Sequence, residues 1–220
     1  MLVSELQSLL GQIYGLELEA NVADYVVTDR HYIQKLLGDS AASMKETLLI
    51  VEEEDFIDLA LYLDRAVLER LSESNPCDGL NRGSMDDFCK VLEGISHFVY
   101  VAWNAGKDKC VTRLELEMQA EIDKYIISRF LLESGQLRST TLLSVLFEHV
   151  RFDSQLKPDV LERYRHANDA ASRYCYNLEQ RFPVATAGWE TDAAMLHELR
   201  AFYRMPQPEK FSHINAAQFA

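Results

Sequence analysis

Apolar residues recur at helical spacing through most of the chain, and polar positions fall between them. Leu6, Leu9, Leu10 and Ile13 mark a first helix, with Ser4 as its expected N-cap and Gly15 as its stop. A second helical stretch, carrying Val22, Tyr25, Val26, Tyr32, Ile33, Leu36 and Leu37, ends at Gly38, and residues 39–45 read as a loop. Residues 74–84 hold Asn75-Pro76, Asp78-Gly79 and Asn81-Arg82-Gly83, dense turn chemistry that suits an internal linker. Beyond them every periodic stretch reads as helix, over residues 85–105, 111–133, 138–152, 158–182 and 190–204. The breaks at Gly106, Gly135, Pro158 and Pro183 are short, which predicts antiparallel neighbours in a bundle.

Residues 47–63 break this pattern. Leu48-Leu49-Ile50-Val51 is followed by four acidic residues, Glu52 to Asp55, and then by Ile57, Leu59, Leu61 and Leu63 at alternate positions. That order predicts a β-hairpin with an acidic turn, after which Asp64 caps a new helix. Phe56, Leu59, Ala60, Leu63, Val67 and Leu71 also fit one helical stripe, so an all-α chain is the alternative. The expected fold is therefore mainly α, a multi-helix bundle with a small hairpin near residues 47–63. Residues 1–73 pack on a bundle formed by 85–204 in one compact domain, and 205–220, beginning at Pro206-Gln207-Pro208, read as an extended tail.

Composition narrows the function classes. An apolar fraction of 48% over 220 residues is enough for a real core. The formal charge of −13, with no basic cluster, argues against nucleic acid as a partner. The first residues carry no basic segment, and no apolar run nears the ~20 residues that cross a bilayer, so a soluble cytoplasmic protein without membrane contact is expected. Cys77, Cys89, Cys110 and Cys175 have no Cys-x-x-Cys spacing and read as reduced thiols. There is no phosphate loop, no Gly-x-Ser-x-Gly elbow and no zincin pair, since Ala201 stands where the second histidine after His197-Glu198 would be.

Two constellations remain. On the helix over 85–105, Phe88, Val91, Leu92, Ile95, Val99 and Ala102 fill one face, and Glu93, His97, Tyr100 and Asn104 collect opposite. On the next helix Glu117 and Glu121 lie one turn apart at the edge of an apolar stripe. If the two helices form a hairpin, Glu93, His97, Glu117 and Glu121 are the candidate ligands of a divalent metal such as iron, manganese or zinc, because carboxylate oxygens and imidazole suit these ions. The plainer reading is a solvated stripe and no cofactor, since the Glu-x-x-His pairs of di-metal bundles are absent.

The second constellation is a heptad-like seam of Leu161, Tyr164, Asn168, Ala171, Cys175, Leu178 and Phe182. It faces either the core or a partner. In the second case Leu161, Tyr164, Asn168, Cys175 and Leu178 form the interface, with Asn168 fixing register. Missing catalytic motifs together with this seam predict a non-enzymatic interaction or regulatory module working through helical surfaces, its partner another protein or a second copy. A metal-binding protein or metal-dependent enzyme is the alternative.

Overall fold

A computed structural model of the chain describes residues 2–38, 44–52, 57–81, 83–132, 139–150, 152, 156–183 and 193–216. Among the described residues there are nine α-helices and one three-stranded mixed sheet, so the chain is mainly α with a small β element. Two compact units are present, residues 1–11 with 17–110, and residues 12–16 with 111–220. The turn-rich segment read as a linker lies inside the first unit, and the division falls after Cys110.

In the first unit α1 (Leu2–Tyr14) buries Val3, Leu6 and Leu10 at helical spacing. It is already helical at Leu2, so Ser4 is not its cap. The Ser4 hydroxyl instead donates to the side-chain oxygen of Asn21 at 3.2 Å. The expected second helix is broken in two: a single 3-10 turn at Val22–Tyr25, then β1 (Val26–Val27), then α2 (Arg30–Leu37). Asp29 breaks it, because its carboxylate accepts from the amides of His31 and Tyr32 and starts a new helix. Gly38 ends α2 at φ 66°, a left-handed geometry that glycine adopts without strain.

The hairpin is formed by β2 (Glu46–Glu52) and β3 (Ile57–Leu63), paired antiparallel from Glu46 with Leu63 to Glu52 with Ile57. This overturns the all-α alternative. β3 is the central strand and also pairs in parallel with β1, Val26 with Leu61 and Val27 with Tyr62. Its last three residues are buried whichever way they point, Leu61 and Leu63 on one face and Tyr62 on the other. A sandwiched strand of this kind reads as a continuous apolar run, and that run is what a helical stripe imitated.

Two helices cover the sheet. α2 places Ile33 on the Tyr62 face, with Leu37 and Leu49 packed around them. α4 (Met85–Ala105) lies on the Leu61 and Leu63 face, and Gly94 sets how near it comes. A Cβ at Gly94 would stand 2.8 Å from Leu61 Cδ1 and 3.3 Å from Leu63 Cδ2, inside contact distance. Between them α3 (Arg65–Glu73) starts at Asp64, whose carboxylate caps Ala66 N at 2.9 Å and also accepts from Lys45 and Arg30.

In the second unit α5 (Arg113–Leu131) packs mainly on α7 (Pro158–Arg181). Ala167, Ala170 and Ala171 are fully buried on α7, and their small side chains let the helix backbones approach. α6 (Ser139–Leu143) passes into a single wide π-helical turn, Ser144–Glu148, which ends short of the expected limit at 152. α8 (Ala193–Arg204) buries Met195, Leu199, Phe202 and Tyr203. The supposed tail is largely helix: α9 (Gln207–Ala216) begins as the amides of Glu209 and Lys210 bond to Pro206 O. Proline blocks a helix interior but suits its first turn, so Pro206 and Pro208 open a helix where they read as breaking one.

Candidate functional site

The polar stripe of α4 is not a solvated face. Tyr100 and Asn104 are buried, and the Asn104 amide donates to Tyr100 O at 2.8 Å, one turn back along the same helix. Glu93 and His97 are half-buried. In the second unit Glu117 is buried with its carboxylate 3.6 Å from Arg163 Nε on α7, and Glu121 pairs with Lys124 at 2.8 Å. Each of those glutamates therefore has a cation of its own unit beside it.

The seam of α7 changes character along its length. Cys175 and Leu178 are fully buried against the rest of the second unit, as are Ala171 and Tyr174. Leu161, Tyr164 and Asn168 are half-buried, and the Asn168 amide donates to Phe147 O at 3.2 Å. An open groove of 550 Å³ runs beside this outer half, lined by Pro158, Leu161, Glu162, Arg165, His166 and Asp169.

A polar cluster that the periodicity hid lies within the second unit. The Tyr14 hydroxyl donates to Asp123 Oδ1 at 2.5 Å, and Gln119 Nε2 donates to the same oxygen at 2.9 Å. Lys210 Nζ then donates to Gln119 Oε1 at 3.1 Å and stands 3.7 Å from Glu115 Oε1. All five side chains are buried. Burial, reinforced by the Asp123 charge, pushes the Tyr14 phenol well above its ordinary pKa, so it stays a donor. Phe202 and Tyr203 present ring faces to Lys210, at 5.3 and 5.8 Å from its nitrogen. The cluster ties α9 and residues 12–16 to α5. Its one sequence signal is Glu115, Gln119 and Asp123 at successive turns of a helix otherwise rich in apolar residues.

The exposed surface supplies the other candidate. Tyr32 (49% exposed) and Leu36 (53%) on α2, Ile50 (39%) and Val51 (54%) on β2, and Ile57 (39%) on β3 all open to solvent in the first unit. The hairpin is buried at the Leu61–Leu63 end and exposed at the other, because β2 and β3 run on past the covering helices. Val51 projects from the same face as Leu49, two positions on, while Ile50 and Ile57 are diagonal neighbours on the opposite face. On α2, Ile33 and Leu37 face Tyr62, which turns Tyr32 and Leu36 about 100° away. Tyr32 and Leu36 thus make a second apolar i,i+4 pair beside Ile33 and Leu37 on this eight-residue helix.

No helix among the described residues is long and apolar enough to cross a membrane. No protein-family model, no curated protein and no solved structure matches the chain.

Proposed function

We propose that this chain is a non-enzymatic interaction module, and that its docking surface is the open end of the hairpin in the first unit together with α2. The carrying observation is the concentration of Tyr32, Leu36, Ile50, Val51 and Ile57 at the solvent within one small sheet and one short helix. Scattered exposed apolar residues need no explanation, whereas grouped ones mark interaction surfaces. The outer half of α7, with Leu161, Tyr164 and Asn168 beside a mixed-charge groove, supports a helical contact as a second element of the same reading.

The test compares binding partners recovered by the natural chain with those recovered by a Tyr32→Ser, Val51→Ser variant of unchanged melting temperature. A partner held by the first and lost by the second supports the reading. Identical recovery sinks it. Elemental analysis of the purified chain addresses the metal-binding alternative: stoichiometric iron, manganese or zinc that disappears in His97→Ala and Glu121→Ala variants favours that alternative over an interaction module.

A further inference from the structure

β2 is the outer strand of the sheet, and among the described residues no strand pairs with its far edge. All seven of its residues are paired with β3 on the inner side, so the backbone is held extended and its outer amides and carbonyls form a regular row. The strand is Glu-Thr-Leu-Leu-Ile-Val-Glu, strongly β-forming and apolar on both faces. Such a row is a template for one more strand, whose main chain supplies affinity while alternate side chains supply selectivity.

Resting on the interaction reading above, we infer that the open edge of β2 binds an extended peptide segment of another protein, one that alternates apolar side chains and carries a basic residue where it meets Glu52. Charge decides between this occupant and a second copy. Glu52 is exposed at the outer end of the strand. Pairing two β2 strands antiparallel over their full length would set Glu52 of one copy against Glu46 of the other at both ends, and like charges directly opposite destabilise a sheet. Two chains of formal charge −13 also repel at long range. The Glu52 carboxylate attracts a lysine or arginine. A basic-ended segment therefore gains at the point where self-pairing loses.

The experiment uses the full chain and two capped synthetic heptapeptides, Lys-Thr-Val-Thr-Val-Thr-Lys and its Glu-ended counterpart, with affinity measured by calorimetry and the contact mapped by hydrogen exchange. The Lys-ended peptide is expected to bind about fivefold more tightly at low salt, the scale of one exposed charge contact reversed in sign. Amides of residues 46–52 are expected to gain protection, and Glu52→Lys is expected to weaken the preference for the Lys-ended peptide. The inference is overturned if neither peptide binds, if both bind equally, if Glu52→Lys leaves their ratio unchanged, or if light scattering shows a dimer with residues 46–52 protected. Protection of residues 30–37 without 46–52 overturns strand addition while leaving the interaction reading in place, since α2 belongs to that surface independently.

Discussion

The Lys210 ammonium lies 3.1 Å from the Gln119 side-chain oxygen, and Lys210 is fully buried. A buried ammonium survives only where acceptors and an opposite charge replace water, and here Gln119 and Glu115 do so. Lys210→Met keeps most of the volume but removes the ammonium beside the buried Glu115 carboxylate, so it is expected to cost about 3 kcal/mol in urea unfolding. Adding Glu115→Gln to it is expected to recover at least ~1 kcal/mol, because a buried charge that has lost its counter-charge is then removed. Equal losses in the single and double variants would show that the two groups are not coupled.

Asp64 joins the sheet to α3. Its burial raises the carboxyl pKa, but hydrogen bonds from Lys45, the Ala66 amide and Arg30, with the Lys45 charge, outweigh this and hold it below the ordinary value of 3.8. Asp87 is also held low, first by its hydrogen bonds from Arg70 at 2.5 and 2.8 Å. A depressed folded pKa means that the unfolded chain takes up the proton first. Both groups therefore contribute stability that is fully present above pH 3.8 and is lost as pH falls through their lower folded values. Asp64→Ala is expected to cost ~1–2 kcal/mol at pH 7 through the lost cap, with Asp64→Asn losing less because it can still cap α3. Chemical unfolding at pH 7 and pH 3 measures both effects, and variants whose deficit is the same at the two pH values would refute the charge contribution.

Gly94 is where α4 touches the sheet most closely. Gly94→Val gains helix propensity yet drives two methyl groups into the space held by Leu61 and Leu63, both without exposed surface. Overpacking of this kind typically costs ~1–3 kcal/mol, and the upper part of that range is expected because backbone-borne atoms collide with a packed strand. Thermal unfolding decides it. A variant as stable as the natural chain would show that the helix moves freely over β3.

The cysteines differ in reactivity. Burial pushes the Cys175 thiol far above its usual range, and burial with the nearby Glu5 carboxylate raises Cys77 to about 11. Cys110 is exposed. At pH 8 iodoacetamide is expected to label Cys110 first, leaving Cys175 and Cys77 unmodified until denaturant is added, since the thiolate is the nucleophile. Peptide mapping of the alkylated protein reads the order directly, and early labelling of Cys175 would contradict its burial.

The hairpin and every described helix except α9 followed from local pattern. The alternation of Ile57, Leu59, Leu61 and Leu63 and the Asp64 cap after it act over a few residues, and the backbone obeys them there, while the expected acidic turn lies outside the described residues. The limits of α4 and the start of α7 at Pro158 were legible for the same reason. Local rules also misled where two of them competed. Asp29 could cap a helix or sit within one, and Pro206 could end a helix or open one; only packing of Ile33 on one side, and of Lys210 and Ile214 on the other, settled which.

Burial was the quantity that pattern could not supply. Tyr100, Asn104 and Glu117 read as a solvated stripe and are buried, while Tyr32, Leu36, Val51 and Ile57, which served only to mark a helix and a hairpin, are exposed. A residue's solvent exposure depends on what other elements bring against it, and those elements are distant along the chain. The Lys210 cluster shows the same dependence, since Tyr14, Asp123 and Lys210 meet only after α1, α5 and α9 are in place. The sequence by itself determined most of the helices and the hairpin, because those choices are made mainly by neighbouring residues. Only the tertiary structure decided which polar groups are locked inside and which apolar ones are left for a partner, because desolvation is a property of the assembled surface.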